Sequence, residues 1–174
     1  MFVRSLRKFR CLVLVLFAFT ICSILFLACE DLLAEDKPIL GALERVVIEP
    51  YGIRITARVD TGAATSSLDA RNLKVSDDKA TFNLSPKFGS SEITVPIVAW
   101  RYVRTAGSRE KRPIVEMDLC IDSKRLRVWV NLTDRSDMRH PVLLGRNAIS
   151  GNFIVDPSQT FLTKPTKSCK KEEK

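Results

Sequence analysis

The chain of 174 residues lacks the patterns that usually mark nucleic-acid binding and zinc sites. Four of its 28 basic residues lie in the first ten positions, which leaves 24 basic against 20 acidic residues from position 29 onward. No basic stripe interleaved with aromatics remains, so no nucleic-acid partner is expected. One His and no His-Glu-x-x-His sequence are too little for tetrahedral zinc, and no phosphate-binding Gly-x-x-x-x-Gly-Lys loop is present. We therefore expect neither a metal nor a cofactor.

Charge is also absent from the 18-residue apolar run 11–28, which directly follows the basic cluster. A positive segment followed by an apolar one is typical of an export signal or a membrane anchor. Three forms remain open: a retained anchor helix, a lipoprotein lipidated at Cys29 after Leu27-Ala28, or a free form cleaved for instance after Ala34. Each predicts that the remaining chain lies outside the cytoplasm, at the periplasmic face of a bacterial membrane or free in the periplasm.

Only two of the five Cys residues, Cys120 and Cys169, lie beyond the apolar run and its border. In an oxidising compartment they could form a disulfide. The local sequence favours another interpretation, with Cys120 in a core strand and Cys169 as a free thiol in a loose tail.

Beyond residue 42 the pattern changes to short segments that alternate apolar and polar residues. We expect a tether over 29–42, one β domain over 43–163 and a polar disordered tail over 164–174. Turn signals separate the segments, and no long amphipathic helix interrupts them, which indicates an all-β closed barrel with one helical turn after Gly145. The predicted strands are 43–49, 53–59, 66–69, 72–76, 79–84, 93–103, 113–121, 125–132, 142–145 and 153–156.

One pair of motifs suggests chemistry. Asp60-Thr61-Gly62 follows a strand of strong β character, and Leu143-Leu144-Gly145 comes later in the chain. An aspartic peptidase needs a carboxylate on a rigid turn at a strand end, where a Gly permits close approach of the paired loop. The apolar-apolar-Gly unit would pack beside that turn and shield the carboxylate from water.

These motifs carry a resemblance. Asp60-Thr61-Gly62-Ala63 and Leu144-Gly145-Arg146-Asn147 resemble the two signatures of retropepsin-like aspartic peptidases. The segments 57–73 and 130–157 are similar to a bacterial family often labelled "ATP-dependent zinc protease", and the similarity covers about 45–162. The resemblance implies a retropepsin-like barrel that cleaves a peptide or protein substrate.

The resemblance also implies roles for particular residues. Asp60 would be catalytic, and because no second Asp-Ser/Thr-Gly exists, a working pair requires Asp60 from each subunit of a homodimer. The active-site loop would be Thr61, Gly62 and Ala63, the flap over the substrate would be tipped by Ala106, Gly107 and Ser108, and structural support would come from Leu143, Leu144, Gly145 and Arg146.

Two questions stay open at this point. Retroviral members place an Asp where this chain has Ala64, so Arg146 needs another partner, either Asp69 or a backbone carbonyl. The same barrel could also act without catalysis, as a module that binds peptides or cell-envelope components or as a scaffold subunit.

Overall fold

The computed structural model describes residues 37–89, 92–105, 108–164 and 169–171. The helical elements there are a 3-10 turn, Pro86–Phe88, and α1, Arg146–Ile149. The strands are β1 (Ile39–Leu40), β2 (Leu43–Glu49), β3 (Ile53–Val59), β4 (Ser66–Asp69), β5 (Arg71–Ser76), β6 (Lys79–Asn83), β7 (Glu92–Thr105), β8 (Ser108–Ile121), β9 (Lys124–Thr133), β10 (Val142–Leu144), β11 (Ile154–Val155) and β12 (Lys170–Lys171).

Six of these strands close into a barrel. They pair in the order β9-β4-β10-β3-β2-β8, and the pairing of β8 with β9 completes the ring. The prediction of an all-β closed barrel with one short helix is confirmed. The predicted signal or anchor helix falls in residues 1–36, outside the described residues. Within the described part of the chain, no helix has the length and apolar character needed to cross a membrane.

The period-two pattern of β3 explains how the barrel obtains its core. Ile55, Ala57 and Val59 are buried, while Arg54 and Arg58 on the alternate positions are exposed. Because successive side chains of a strand point to opposite faces, one face fills the barrel and the other carries charge. All four residues of β4 are buried, since neighbouring elements cover both of its faces.

The β7–β8 hairpin forms an arm that continues beyond the barrel. Its strands run to Thr105 and from Ser108, so the turn is shorter than the predicted polar tip 104–111. Cross-strand stacking supports the extra pairs, since the Arg109 guanidinium lies 4.4 Å from the centroid of the Tyr102 ring. The ladder shifts register between Ile97 and Ala99, where the arm leaves the core.

Both ends of the described chain pair with other strands. β1 lies inside the predicted tether 29–42 and pairs in parallel with β11, in a separate two-stranded sheet. Cys169 forms a disulfide with Cys120, and β12 pairs in parallel with β9. The expected free thiol is therefore wrong, because a disulfide joins Cys169 to Cys120 on β8, 49 positions earlier in the chain. The predicted limits of the tether, the β domain and the disordered tail stay predictions.

A buried carboxylate fastens the segment that follows β11. Glu44 on β2 is 0% exposed and accepts hydrogen bonds from Gly41 N (2.7 Å), Leu162 N (3.0 Å), Thr163 N (3.2 Å) and Thr163 Oγ1 (2.8 Å). A buried charge is tolerated where such donors replace its hydration. Glu44 thus fixes residues 162–163 against the start of β2.

Candidate active site

The Asp60 loop leaves β3 at a point where β10 lies between β3 and β4. β10 is parallel to β3 and antiparallel to β4. Asp60 N donates to Leu144 O at 2.9 Å, which extends the β3–β10 ladder to the first residue of the loop. The predicted motif pair is therefore adjacent in space, and Leu144 is fully buried beside the loop.

The Asp60 side chain is oriented by its own loop. Its Oδ1 accepts hydrogen bonds from Gly62 N at 2.9 Å and Ala63 N at 3.2 Å. The described residues donate no hydrogen bond to its Oδ2. Asp60 is half-buried, and the neighbouring Thr61 and Gly62 are exposed. The carboxylate is thus held at one oxygen, next to a surface that another molecule can approach.

Gly145 permits the close contact between the two motifs. A Cβ at this position would lie 2.6 Å from Thr65 C and 3.0 Å from Ala63 O. Real Cβ atoms essentially never approach another heavy atom as closely as the first of these distances. Only a glycine therefore lets the backbone after β10 lie against the Asp60 loop.

Arg146 ties α1 to the same loop. Its Nη1 donates to Thr61 O at 3.0 Å and to Gly62 O at 2.8 Å, and its backbone N donates to Ala63 O at 2.8 Å. The sequence left two candidate partners for Arg146, Asp69 or a backbone carbonyl, and in the structure Arg146 binds backbone carbonyls. Asp69 instead pairs with Arg71 Nε at 3.0 Å.

A network of neutral side chains supports the loop from below. Asn147 Oδ1 accepts from Ser66 N at 2.8 Å and from Ser66 Oγ at 2.9 Å, and Asn147 Nδ2 donates to Trp129 O at 2.7 Å. Ser66 Oγ accepts from Gly145 N at 3.1 Å, and Asn131 Nδ2 donates to Ser66 O at 2.7 Å. Sequence reasoning missed Ser66 and Asn131, although two polar residues inside buried strands are a usable signal.

A cavity of about 450 Å³ lies between this loop and the β7–β8 arm. Arg101 and Arg112 are directly opposed in the arm, and the guanidinium of Arg101 stacks on the Trp129 ring at 5.5 Å. Four arginines therefore border one cavity, a feature that sequence reasoning did not predict. The lining residues are Gly62, Ala63, Ala64, Thr65, Ser67, Arg101, Tyr102, Val103, Arg104, Arg112, Asn131, Arg135 and Leu143.

The cavity has a cationic wall. Burial lowers the pKa of Arg135, and the positive charge of Arg112 lowers it further. His140, in the same loop, has a pKa lowered by burial and by surrounding cations that include Arg139 and Arg58. Arg135 is half-buried, and its backbone N donates to Asp69 Oδ1 at 2.8 Å.

The remaining predicted site residues have mixed outcomes. Leu143 lines the cavity, and Ser108 begins β8. Ala106 and Gly107 lie outside the described residues, so the predicted flap tip stays a prediction. In the described ranges, no three His, Cys, Asp or Glu side chains are grouped so that they could hold a metal ion.

Comparison with known proteins agrees with this geometry. The family described as "Retropepsin-like aspartic endopeptidase RimB" matches residues 39–166. The crystal structure of a protein of unknown function from Legionella pneumophila superposes with a TM-score of 0.63 at 32% sequence identity, covering 73% of this chain and 98% of that one.

Curated relatives carry a different name. Proteins named "Probable alpha-L-glutamate ligase" are 32% identical over 139 residues in Shewanella pealeana and 34% identical over 131 residues in Parasynechococcus marenigrum. These matches cover 74% and 70% of this chain but 30% and 28% of the relatives. The chain thus spans less than a third of the length of these relatives.

Proposed function

The chain belongs to the RimB-like family of retropepsin-like aspartic endopeptidases, and from that premise we propose that it hydrolyses peptide bonds with a pair of Asp60 carboxyl groups, one from each subunit of a homodimer. The observation that carries the proposal is the Asp60 carboxylate, fixed by Gly62 N and Ala63 N beside a substrate-sized cavity. The chain has a single Asp-Thr-Gly, so the second carboxyl must come from another copy.

The surroundings of Asp60 suit such a pairing. Thr61, Gly62 and Arg146 are exposed, so an identical loop can approach the carboxylate. Asp60 Oδ2 has no donor among the described residues and is available to share a proton. Oδ1 is already oriented, which lowers the entropic cost of forming the pair.

The pair would work as follows. Two carboxyl groups about 3 Å apart cannot both ionise cheaply, so they share one proton. The ionised carboxylate takes a proton from a bound water while the protonated partner donates to the oxygen of the scissile carbonyl. The carboxyl group that took the water proton then gives it to the amide nitrogen, the other carboxylate takes a proton from a hydroxyl of the tetrahedral diol, and the amine leaves as the carbon–nitrogen bond breaks. The net reaction consumes one water and restores the shared proton.

The cavity favours a substrate with acidic side chains. Arg101, Arg104 and Arg135 form no ion pair with acids of the described chain, whereas Arg112 is paired with Glu110 at 2.8 Å. An acidic peptide would supply the missing counter-charges. The relatives named as glutamate ligases carry a similar segment, which supports a peptide containing glutamate as the substrate.

Digestion of peptide libraries tests the catalytic proposal, and Asp60→Asn is the decisive variant. We expect cleavage to fall by about 100- to 10,000-fold because Asn can neither accept nor share the proton. Asp77→Asn is the matched control, since Asp77 is exposed in the β5–β6 turn and its φ of 49° suits Asn. Equal loss in both variants, or full activity of Asp60→Asn, would contradict the proposal.

The dimer is tested by molecular mass at rising protein concentration. We expect activity per mole to increase with concentration as copies associate, and mixing inactive Asp60→Asn with wild type should lower activity more than dilution does. A protein that stays monomeric while cleaving would overturn the two-copy mechanism.

Substrate preference is tested with Arg101→Gln and Arg135→Gln. Each should raise KM for glutamate-containing peptides with little change for neutral peptides, because the charge contacts the substrate away from the reacting bond. Lys79→Gln removes an equal charge from the β6 side of the molecule and should change KM for neither kind of peptide. Peptide binding by the wild type without any cleavage would favour the non-catalytic binding module instead.

We also propose that the domain acts outside the cytoplasm, on the strength of the apolar run 11–28 after the basic cluster. Mass spectrometry of the mature N-terminus distinguishes the three forms. A lipid on Cys29, a start near residue 35 or an intact Met1 would each identify one of them, whereas recovery of intact, unmodified protein from the cytoplasm would contradict export.

A further inference from the structure

A second cavity, of about 560 Å³, lies on the outer face of β2 and β3 and shares no lining residue with the cavity beside the Asp60 loop. The proposed peptidase chemistry does not use it. It is lined by Arg45, Arg54, Ile55, Thr56, Phe88 and Lys164.

The strand register explains why cations collect there. Arg45 on β2 is directly opposite Thr56 on β3, and Arg54 is two residues from Thr56 on the same strand face. Lys164, beyond the segment held by Glu44, adds a third positive charge. No acid among the described residues forms an ion pair with Arg45, Arg54 or Lys164, so their mutual repulsion is uncompensated. Such an arrangement favours an anion.

The arrangement around Arg45 is held in place. Its guanidinium stacks on the Phe161 ring at 4.6 Å. Phe161 has a φ of 56°, in the left-handed region that residues with a side chain rarely adopt. Glu44 binds the next two residues, Leu162 and Thr163, and so maintains that conformation. Strained residues persist where the surroundings over-determine them, and they occur often at ligand sites.

Apolar groups accompany the charges. Phe88 lines the cavity itself, and Phe161, on whose ring the Arg45 guanidinium stacks, is 37% exposed. A small inorganic anion would use only the cations. A ligand that has a phosphate next to a hydrocarbon portion would use both the cations and the apolar groups.

We propose that this cavity binds the phosphate headgroup of an anionic phospholipid at a bilayer surface. Arg45 and Arg54 donate to the phosphate oxygens, since the guanidinium fork matches phosphate geometry. Lys164 contributes a point charge, and the Thr56 hydroxyl can donate to an ester oxygen. Phe88 and Phe161 contact the glycerol and the upper acyl region.

Chain length is consistent with a bilayer as the partner. The apolar run 11–28 is predicted to be a signal or anchor, and the described fold begins at residue 37. Residues 29–36 can span at most roughly 28 Å when fully extended. An anchored or lipidated form would therefore keep this domain close to lipid headgroups.

The test is calorimetric titration of the full-length protein in a neutral detergent with short-chain phosphatidylglycerol, short-chain phosphatidylcholine and inorganic phosphate. The detergent covers the apolar run, so binding by that segment is common to all variants. We expect phosphatidylglycerol to bind at least about tenfold more tightly than either of the other probes, because only it combines net negative charge with an apolar portion.

The double variant Arg45→Gln/Arg54→Gln should weaken phosphatidylglycerol binding by about tenfold or more. Lys74→Gln/Lys79→Gln is the matched control, since it removes the same charge from β5 and β6, and it should change the affinity less than twofold. Peptide cleavage should be unchanged in both double variants, which separates this result from any failure of the peptidase proposal.

Three results would overturn the proposal. Equal affinity for phosphatidylglycerol and phosphatidylcholine would show that net charge is not recognised. Equal affinity for inorganic phosphate would make the cavity a site for soluble anions rather than lipid. Equal weakening in both double variants would reduce the effect to net charge alone.

Discussion

Two segments of this molecule are held by polar side chains from distant parts of the sequence, but with different chemistry. Besides Arg146, the Asp60 loop is supported by Asn147, Ser66 and Asn131, whose side chains are all neutral. The segment around Thr163 is held by Glu44, a carboxylate that is 0% exposed. Both arrangements join residues far apart in sequence, and both collect backbone N–H groups.

The difference follows from what each segment has to do. At the Asp60 loop, the Arg146 guanidinium binds the carbonyl oxygens of Thr61 and Gly62, and the amides and hydroxyls position the same loop without adding a further charge. Glu44 has only to hold a segment in place, and its two carboxyl oxygens accept four hydrogen bonds there. The comparison predicts that Glu44 matters most for stability and Asn147 most for activity.

The largest expected effect on stability is that of Glu44→Leu. The variant leaves four donors of Gly41, Leu162 and Thr163 without their acceptor inside the protein. Because each unsatisfied buried donor costs about 1–3 kcal/mol, we expect the free energy of unfolding to fall by about 3 kcal/mol or more. Urea unfolding measures it. Activity per folded molecule should be retained, and a loss below about 1 kcal/mol would show that the segment is held by something else.

Gly145→Ala should come next. The added methyl would overlap the backbone of Thr65, which cannot move without displacing the Asp60 loop. We expect a destabilisation of about 1–3 kcal/mol together with a large loss of peptide cleavage. Ser150→Ala, at the exposed end of α1, serves as the control. Wild-type cleavage by Gly145→Ala would mean that the contact between the two motifs does not position Asp60.

Asn147→Ala tests the other segment of the comparison, the support of the Asp60 loop. It removes the hydrogen bonds to Ser66 and Trp129, and we expect a stability loss of about 1–2 kcal/mol, smaller than for Glu44→Leu. Cleavage should nevertheless fall more, chiefly in kcat, because the loop that orients Asp60 loses its support. Asn152→Ala, which removes one hydrogen bond to Ala148 O, should leave kcat unchanged. The reverse order of effects on cleavage would refute the division of roles.

The smallest effect concerns an ion pair on the barrel surface. Hydrogen bonds from Arg127 and Arg125 lower the pKa of Asp118. A carboxyl whose pKa is lower in the folded protein stabilises it above the unfolded pKa of about 3.9, and this contribution is lost as the pH falls through the folded value. Asp118→Asn should therefore be slightly less stable than wild type at pH 7, with the difference vanishing near pH 2–3 in urea unfolding. A difference that grows on acidification would contradict this assignment.

The strands were largely predictable because their side chains alternate. β2, β3 and β4 have the predicted bounds, and in β3 the buried face alternates with an exposed one. The arm was longer than predicted because its tip is polar on both faces. Pairing there depends on contacts such as Arg109 on Tyr102, which no local pattern indicates.

The candidate site was predictable only in part. Asp60, Gly145 and Arg146 belong to short motifs that can be found by inspection. Arg101 and Arg135 come from an arm and a loop whose sequences resemble ordinary solvated turns and strands. Their approach to one cavity depends on the register of β7 with β8 and on the path of the loop after β9. Neither of these can be predicted from neighbouring residues in the sequence.

The amino-acid sequence by itself determined the alternation that builds a barrel and the motif pair that marks one end of it, because both depend on neighbours a few residues apart. Only the tertiary structure decided that Cys120 meets Cys169, that Arg146 binds loop carbonyls and that arginines surround the cavity. Those outcomes require residues distant in the chain to meet, and the closure of β8 on β9 sets which of them do.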